Sequence, residues 1–211
     1  MCNEADIFAY VRAFLVQHGG QQPPDRSFPF RDRSDHIRRV CQWARRLADG
    51  AAEPVDRDAL FTAALFHDIG YGDARDGVPH AANSARIFRA WAAEQGLPED
   101  RGAFIEALIA GHSDKERLRQ PDTPLELVLL MEADLLDETG ALSIVWDCLM
   151  EGARERPSYM EAYRHIERMS GKILRQNPMR TAAAQRFWRE KQRLTAQFLA
   201  RLALDLGLAE E

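Results

Sequence analysis

The chain has 211 residues, of which 45% are hydrophobic and 29% charged. That is enough apolar material for one substantial core and too little length to demand two domains. No segment approaches 18 uncharged apolar residues, so a membrane-spanning helix is excluded, and the start at Met1-Cys2-Asn3-Glu4 is unlike a signal peptide. The net charge of −5 conceals an asymmetry: Arg154 to Arg193 holds 11 Lys/Arg against 4 Asp/Glu, a local +7 that leaves −12 elsewhere.

Helical periodicity runs through the sequence and no alternating strand pattern interrupts it. Ile7, Val11, Phe14 and Leu15 line one face of a first helix, stopped by Gly19-Gly20 and Pro23-Pro24. A loop follows to Arg33. A second helix begins near Ser34, where His36, Val40, Trp43 and Leu47 share one stripe, which sets His36 on the apolar face. A third runs from about Asp56 through Phe66, with Asp68 in its last turn and Gly70 or Gly72 ending it. After a Gly/Asp-rich loop from Tyr71 to Pro79, helices are predicted near 81–95, 102–112, 124–137, 158–175 and 181–207, with Asn177-Pro178 separating the last two. The expected fold is therefore all-α: a single domain over 1–211, its core at about 30–150 and its C-terminal helices at about 155–207 packed on that core.

The three cysteines, Cys2, Cys41 and Cys148, are widely separated and form no CxxC pair; they read as reduced thiols of a cytoplasmic protein. In the basic segment, Arg164, Arg168, Lys172, Arg175, Arg186, Arg189 and Arg193 are spaced like solvated helix faces. No aromatic platform accompanies them, so nucleic acid ranks last among partners, while a contribution to an anionic substrate stays open.

Three stretches place charged or polar groups where the helical pattern is apolar: His36 in HIRRV, His67-Asp68 in ALFHDIG and Asp134 in LMEAD. An unpartnered buried carboxylate costs several kcal/mol, so two imidazoles and two carboxylates buried together call for a common partner, and a divalent cation is the simplest. Asp134 is suitably directed, because Leu127, Met131 and Asp134 form one inward stripe. A mixed N/O set suits one Mn²⁺, Fe²⁺, Co²⁺, Ni²⁺ or Mg²⁺ ion in six-coordinate geometry better than a closed thiolate site. Four protein ligands leave two positions for water or substrate oxygens.

His36, then His67-Asp68, then Asp134, at spacings of 31 and 66 residues, resembles the H…HD…D signature of the HD-domain superfamily of metal-dependent phosphohydrolases. The likeness extends to small bacterial HD hydrolases that include nucleoside-triphosphate pyrophosphohydrolases. His80 to Ala85 is similar to an H-x-x-x-S-A element, Gly111-His112-Ser113 to an H-S element, and Asp134 to Gly140 to a D-x-L-D-x-x-G stretch. The chain departs from that pattern at Leu135, where members often carry Arg. It departs also at Arg33, where an acidic residue usually stands, and at Tyr71, where many have Lys.

The resemblance implies a cytoplasmic phosphohydrolase that cleaves a phosphate ester or anhydride of a small nucleotide or related compound with metal-activated water. Besides the ligands His36, His67, Asp68 and Asp134, it points to Asp68, His80 and His112 as catalytic residues and to Lys115, Arg117 and Lys172 as substrate contacts. For His80 and His112, phosphate contact or proton transfer, a second ion site and an ordinary histidine all remain open. Asp73, Asp76 and Asp114 border the expected pocket or serve as turn residues, and Asp137 supports the ligands or caps a helix. His18 and His165 read as structural. Two other functions stay in view, a non-catalytic metal-binding regulatory module and a cyclic-dinucleotide phosphodiesterase; a homodimer stays open.

Overall fold

A computed structural model describes residues 3–18, 32–73 and 77–208. Among them lie nine α-helices and three 3-10 turns, and no strand. The Gly19-Gly20 and Pro23-Pro24 stop, the loop up to 31, Cys2 and Asp76 fall outside the described residues. The chain divides into two compact units, Met1–Asp134 and Leu135–Glu211, taken here in turn.

In the first unit, α1 (Glu4–Gln17) begins where the Asn3 side chain accepts the Asp6 N–H at 2.9 Å, and it buries Ile7, Val11 and Leu15. At the head of α2 (Arg33–Asp49), Asp32 accepts from the N–H groups of Ser34 and Asp35. The same stripe that buries Ile37, Val40, Ala44 and Leu47 buries His36. Next, α3 (Arg57–Phe66) is capped by Asp56, whose side chain accepts from Ala59 N–H and whose own N–H donates to Glu126. Every residue from Ala59 to Phe66 except Thr62 is buried. Helices α1, α2 and α5 (Glu99–Gly111) pack around α3, and α4 (His80–Glu94) packs on α5. Phe66 anchors this arrangement, 5.1 Å from Phe88, 5.0 Å from Trp91 and 6.1 Å from Tyr10 between ring centroids. The boundary between the units falls within α6 (Leu125–Asp137), which buries Leu127 to Ala133.

The sequence places a helix-ending glycine at Gly70 or Gly72; the structure uses Gly70 differently. Helix α3 passes into a 3-10 turn over Ile69–Asp73, and neither glycine takes a positive φ. Gly70 is where this turn touches α4. A Cβ there would stand 2.2 Å from the His80 carbonyl and 2.5 Å from the Ser84 nitrogen, and the Gly70 N–H donates to Ser84 Oγ at 2.9 Å.

In the second unit, Gly140, at φ +78°, opens α7 (Ala141–Gly152), a helix absent from the sequence reading. The single helix expected over 158–175 is α8 (Tyr159–Arg168) followed by a 3-10 turn over Ser170–Arg175, and α9 (Ala182–Asp205) completes the unit. Ile144, Ile166 and Leu199 form its core. Arg164, Arg168, Lys172, Arg175, Arg186, Arg189 and Arg193 are exposed, as solvated faces require. Cys41 is buried, its thiol pushed up to about 12 by that burial, and both Cys41 and Cys148 are free. No described helix is long and apolar enough to cross a membrane.

Gly70→Ala is expected to destabilise by roughly 2–3 kcal/mol through overpacking against backbone, lowering Tm by about 5–10 °C. Gly102→Ala, in α5 with open space around it, should instead be neutral or stabilising by up to ~1 kcal/mol. Thermal unfolding of the two variants checks the contrast.

Candidate metal centre

Five helices, within them or at their ends, deliver the centre. His36 comes from the first turn of α2, His67 and Asp68 from the end of α3, and Asp134 from α6. His80 opens α4 and His112 follows the last residue of α5. His36, His67, Asp68, His112 and Asp134 are buried; His80 is half-buried.

Two histidines are held by the same local device. Helix ends leave carbonyls without helical partners, and His67 Nδ1 lies 2.7 Å from the Ala64 carbonyl while His112 Nδ1 lies 2.6 Å from that of Ile109. A carbonyl only accepts, so in each ring Nδ1 carries the proton and Nε2 is turned inward. Burial, partly offset by Asp68, pushes His67 down to about 4, so it is neutral at ordinary pH.

The inward atoms crowd together. His67 Nε2 is 3.3 Å from His36 Nε2, 3.7 Å from Asp68 Oδ1 and 4.0 Å from Asp134 Oδ1. His36 Nε2 lies 3.4 Å from Asp68 Oδ2 and 3.3 Å from Asp134 Oδ1. On the other side of Asp68, its Oδ1 is 3.5 Å from His80 Nε2 and 3.7 Å from His112 Nε2, and those two nitrogens are 3.2 Å apart. Ser113 Oγ sits 3.1 Å from His80 Nε2. A lone pair aimed at carboxylate oxygens is repulsive unless a cation lies between them. With metal–nitrogen bonds near 2.0–2.1 Å, ligand atoms about 3–4 Å apart are spaced to share an ion. Within the first unit two overlapping groups satisfy this, His36/His67/Asp68 and Asp68/His80/His112, and Asp134 joins the first through His36 and His67.

Each central carboxylate also has a cation. Arg33 Nη1 donates to Asp68 Oδ2 at 2.7 Å, and Lys115 Nζ donates to Asp134 Oδ2 at 2.7 Å and to the His112 carbonyl at 2.9 Å. Burial would raise the Asp68 carboxyl, but His67, the hydrogen bond from His112 and the Arg33 charge outweigh it and hold it well below the usual carboxylate range. Asp134 is likewise held low against burial, by the His36 hydrogen bond and Lys115. Burial lowers His80, with Asp68 opposing.

Of the residues singled out in the sequence, the structure brings His36, His67, Asp68, His80, His112, Lys115 and Asp134 together. The Arg117 guanidinium lies against Gly111, the residue before His112, and the Arg117 carbonyl accepts from Thr123. Lys172 belongs to the second unit, with its amine 4.0 Å from Met169 Sδ. Asp73 pairs with Arg86, Asp114 is exposed at the head of a 3-10 turn, and Asp137 is buried. His18 stacks on Phe14, and His165 bridges Asp147 and Glu151 at 3.3 and 2.9 Å within the second unit. Sequence reasoning noticed Arg33 and Tyr71 as departures from a pattern but gave them no place in the site. The signal that would have found Arg33 is the need of a buried Asp68 for a cation.

The chain belongs to the HD domain family, whose model matches residues 33–139. No curated protein matches it. Solved structures share the fold. An HD-superfamily hydrolase from Bacillus thuringiensis aligns with TM-score 0.70 at 20% identity, covering 98% of this chain and 97% of its own. A predicted HD superfamily hydrolase from an uncultured Thermotogales bacterium aligns with TM-score 0.63 at 21% identity, over 94% and 92%. Bacillus subtilis YpgQ, crystallised in complex with ADP, aligns with TM-score 0.65 at 20% identity, over 96% and 94%.

If these donors hold an ion, adding it at about 100 times its Kd stabilises the fold by ~2.7 kcal/mol, or roughly 5–10 °C in Tm. His67→Ala and Asp68→Ala should abolish both this shift and the bound metal measured by elemental analysis. Full metal stoichiometry in both variants would overturn the assignment.

Proposed function

We propose that the protein is a metal-dependent phosphohydrolase that cleaves a phosphate ester or anhydride of a small nucleotide or related compound. The observation that carries this reading is the convergence of imidazole Nε2 atoms from His36, His67, His80 and His112 on the buried carboxylates of Asp68 and Asp134, with donor atoms about 3–4 Å apart. In this reading His36, His67, Asp68 and Asp134 hold one divalent ion. Such an ion polarises a phosphoryl oxygen and lowers the pKa of a bound water towards neutrality.

The chain's own residues do the rest. The Ala64 and Ile109 carbonyls fix the tautomers and ring planes of His67 and His112. Lys115 steadies Asp134 and keeps one ammonium N–H for a substrate oxygen, since two of its three donors are engaged. His80 and His112 stand where they contact phosphate oxygens or pass a proton, with Ser113 Oγ beside both rings. The ADP complex of YpgQ supports a nucleotide as the class of substrate, by likeness of fold.

The grouping of Asp68 with His80 and His112 favours a second reading of those two histidines, as ligands of a second ion with Asp68 shared between both. Elemental analysis separates the alternatives: two ions in the wild type falling to one in His112→Ala supports the shared site, and one ion in both supports contact or proton transfer.

The functional test is a screen of nucleoside mono-, di- and triphosphates with Mn²⁺, Mg²⁺, Co²⁺ or Ni²⁺. Hydrolysis that depends on the ion and falls at least 10³-fold in Asp68→Ala is the expected result; release of phosphate or of pyrophosphate identifies the bond cleaved. Bound metal with no turnover on any phosphate compound would favour a regulatory module instead.

A further inference from the structure

Arg33 has a position that the ion-pair description does not exhaust. Its Nη1 donates to Asp68 Oδ2 at 2.7 Å, and among the described residues this is its only hydrogen bond, leaving four of the five guanidinium N–H groups. Its Cζ lies 3.9 Å above the centre of the Tyr71 ring. That ring is also stacked on His80, with centroids 4.5 Å apart and planes within 16°. Tyr71 thus packs against both a guanidinium and an imidazole that reach Asp68. Tyr71 is 38% exposed and the Arg33 side chain 11% exposed, which puts this column at the outer wall of the centre and not in the core beneath it.

We propose that Arg33 is a specificity-determining residue of this centre: fixed by Tyr71 and Asp68, it presents its remaining N–H groups to the oxygens of a phosphate held at the metal. The inference rests on the phosphohydrolase reading above. A guanidinium is a planar fork that matches phosphate oxygens in pairs, and pre-fixing its plane on an aromatic face lowers the ordering cost of that contact. The same charge stands on a metal-ligating carboxylate, so Arg33 opposes the ion for Asp68 while favouring the anion. A residue that merely propped Asp68 in place would help both.

Opposite signs make the test. In equilibrium titrations of Mn²⁺ into metal-free protein and of inorganic phosphate into Mn²⁺-loaded protein, Arg33→Gln is expected to bind Mn²⁺ as tightly as wild type or several-fold tighter, and phosphate at least 10-fold more weakly. Arg33→Lys keeps the charge without the fork and should leave Mn²⁺ unchanged while weakening phosphate several-fold, which also covers the case of a poorly folded Gln variant. Tyr71→Ala should weaken phosphate alone. Parallel loss of Mn²⁺ and phosphate in Arg33→Lys, or unchanged phosphate affinity in Arg33→Gln, would overturn the proposal while leaving the phosphohydrolase reading in place. A wild-type Mn²⁺-loaded protein that neither binds phosphate nor hydrolyses any phosphate compound would overturn both.

Discussion

Asp68 carries a negative charge into a part of the first unit that water barely reaches, and the arrangement around it follows from having to satisfy both of its oxygens. Oδ2 takes Arg33 and faces His36; Oδ1 faces His67, His80 and His112. Supplying those partners requires α2, α3, α4 and α5 to end or begin within a few ångströms of one carboxylate. The crossing of Gly70 under α4 is what makes this possible. Only a residue without Cβ lets the 3-10 turn after Asp68 lie against the His80 carbonyl and the Ser84 nitrogen, and that contact brings His80 to the same oxygen as His67.

The histidines show how helix termini can orient imidazole rings. His67 and His112 each follow the last residue of a helix, and each gives its Nδ1 proton to the carbonyl three residues back. This one hydrogen bond satisfies an orphan carbonyl, selects the tautomer and turns Nε2 inward. Both helices are anchored by apolar packing, α3 almost all round and α5 through Ile105, Leu108 and Ile109. The ring positions are thus set by the core beneath them.

How much of this could be read from the sequence depended on whether a polar residue stood out against an apolar stripe. His36, His67, Asp68 and Asp134 did, because the positions around them are unmistakably core, and the helices carrying them lie within a few residues of where periodicity puts them. Arg33 did not: beside Asp32 and Asp35 it reads as the charged start of a helix, and nothing in the local pattern shows that a carboxylate 35 positions later needs it. Helix α7 was illegible for the opposite reason. It buries Asp147 and Glu151 and exposes Leu142, Val145 and Leu149, inverting the usual polarity. The inversion works because His165 reaches both acids and Ser170 Oγ donates to Asp147 at 2.6 Å, partners that lie outside any window of helical periodicity.

The ion pairs Asp68–Arg33 and Asp134–Lys115 bear on how such a centre exists before an ion arrives. In small metal-folded domains the ligands repel one another until the ion binds, so binding and folding are one event. Here each ligand carboxylate has a cation at 2.7 Å, and the histidine rings are pinned by backbone carbonyls. The donor atoms are therefore held in place by the protein's own contacts, and under the proposed function an ion entering the centre would meet carboxylates already paired with cations, leaving much of its own charge to attract an anionic phosphate.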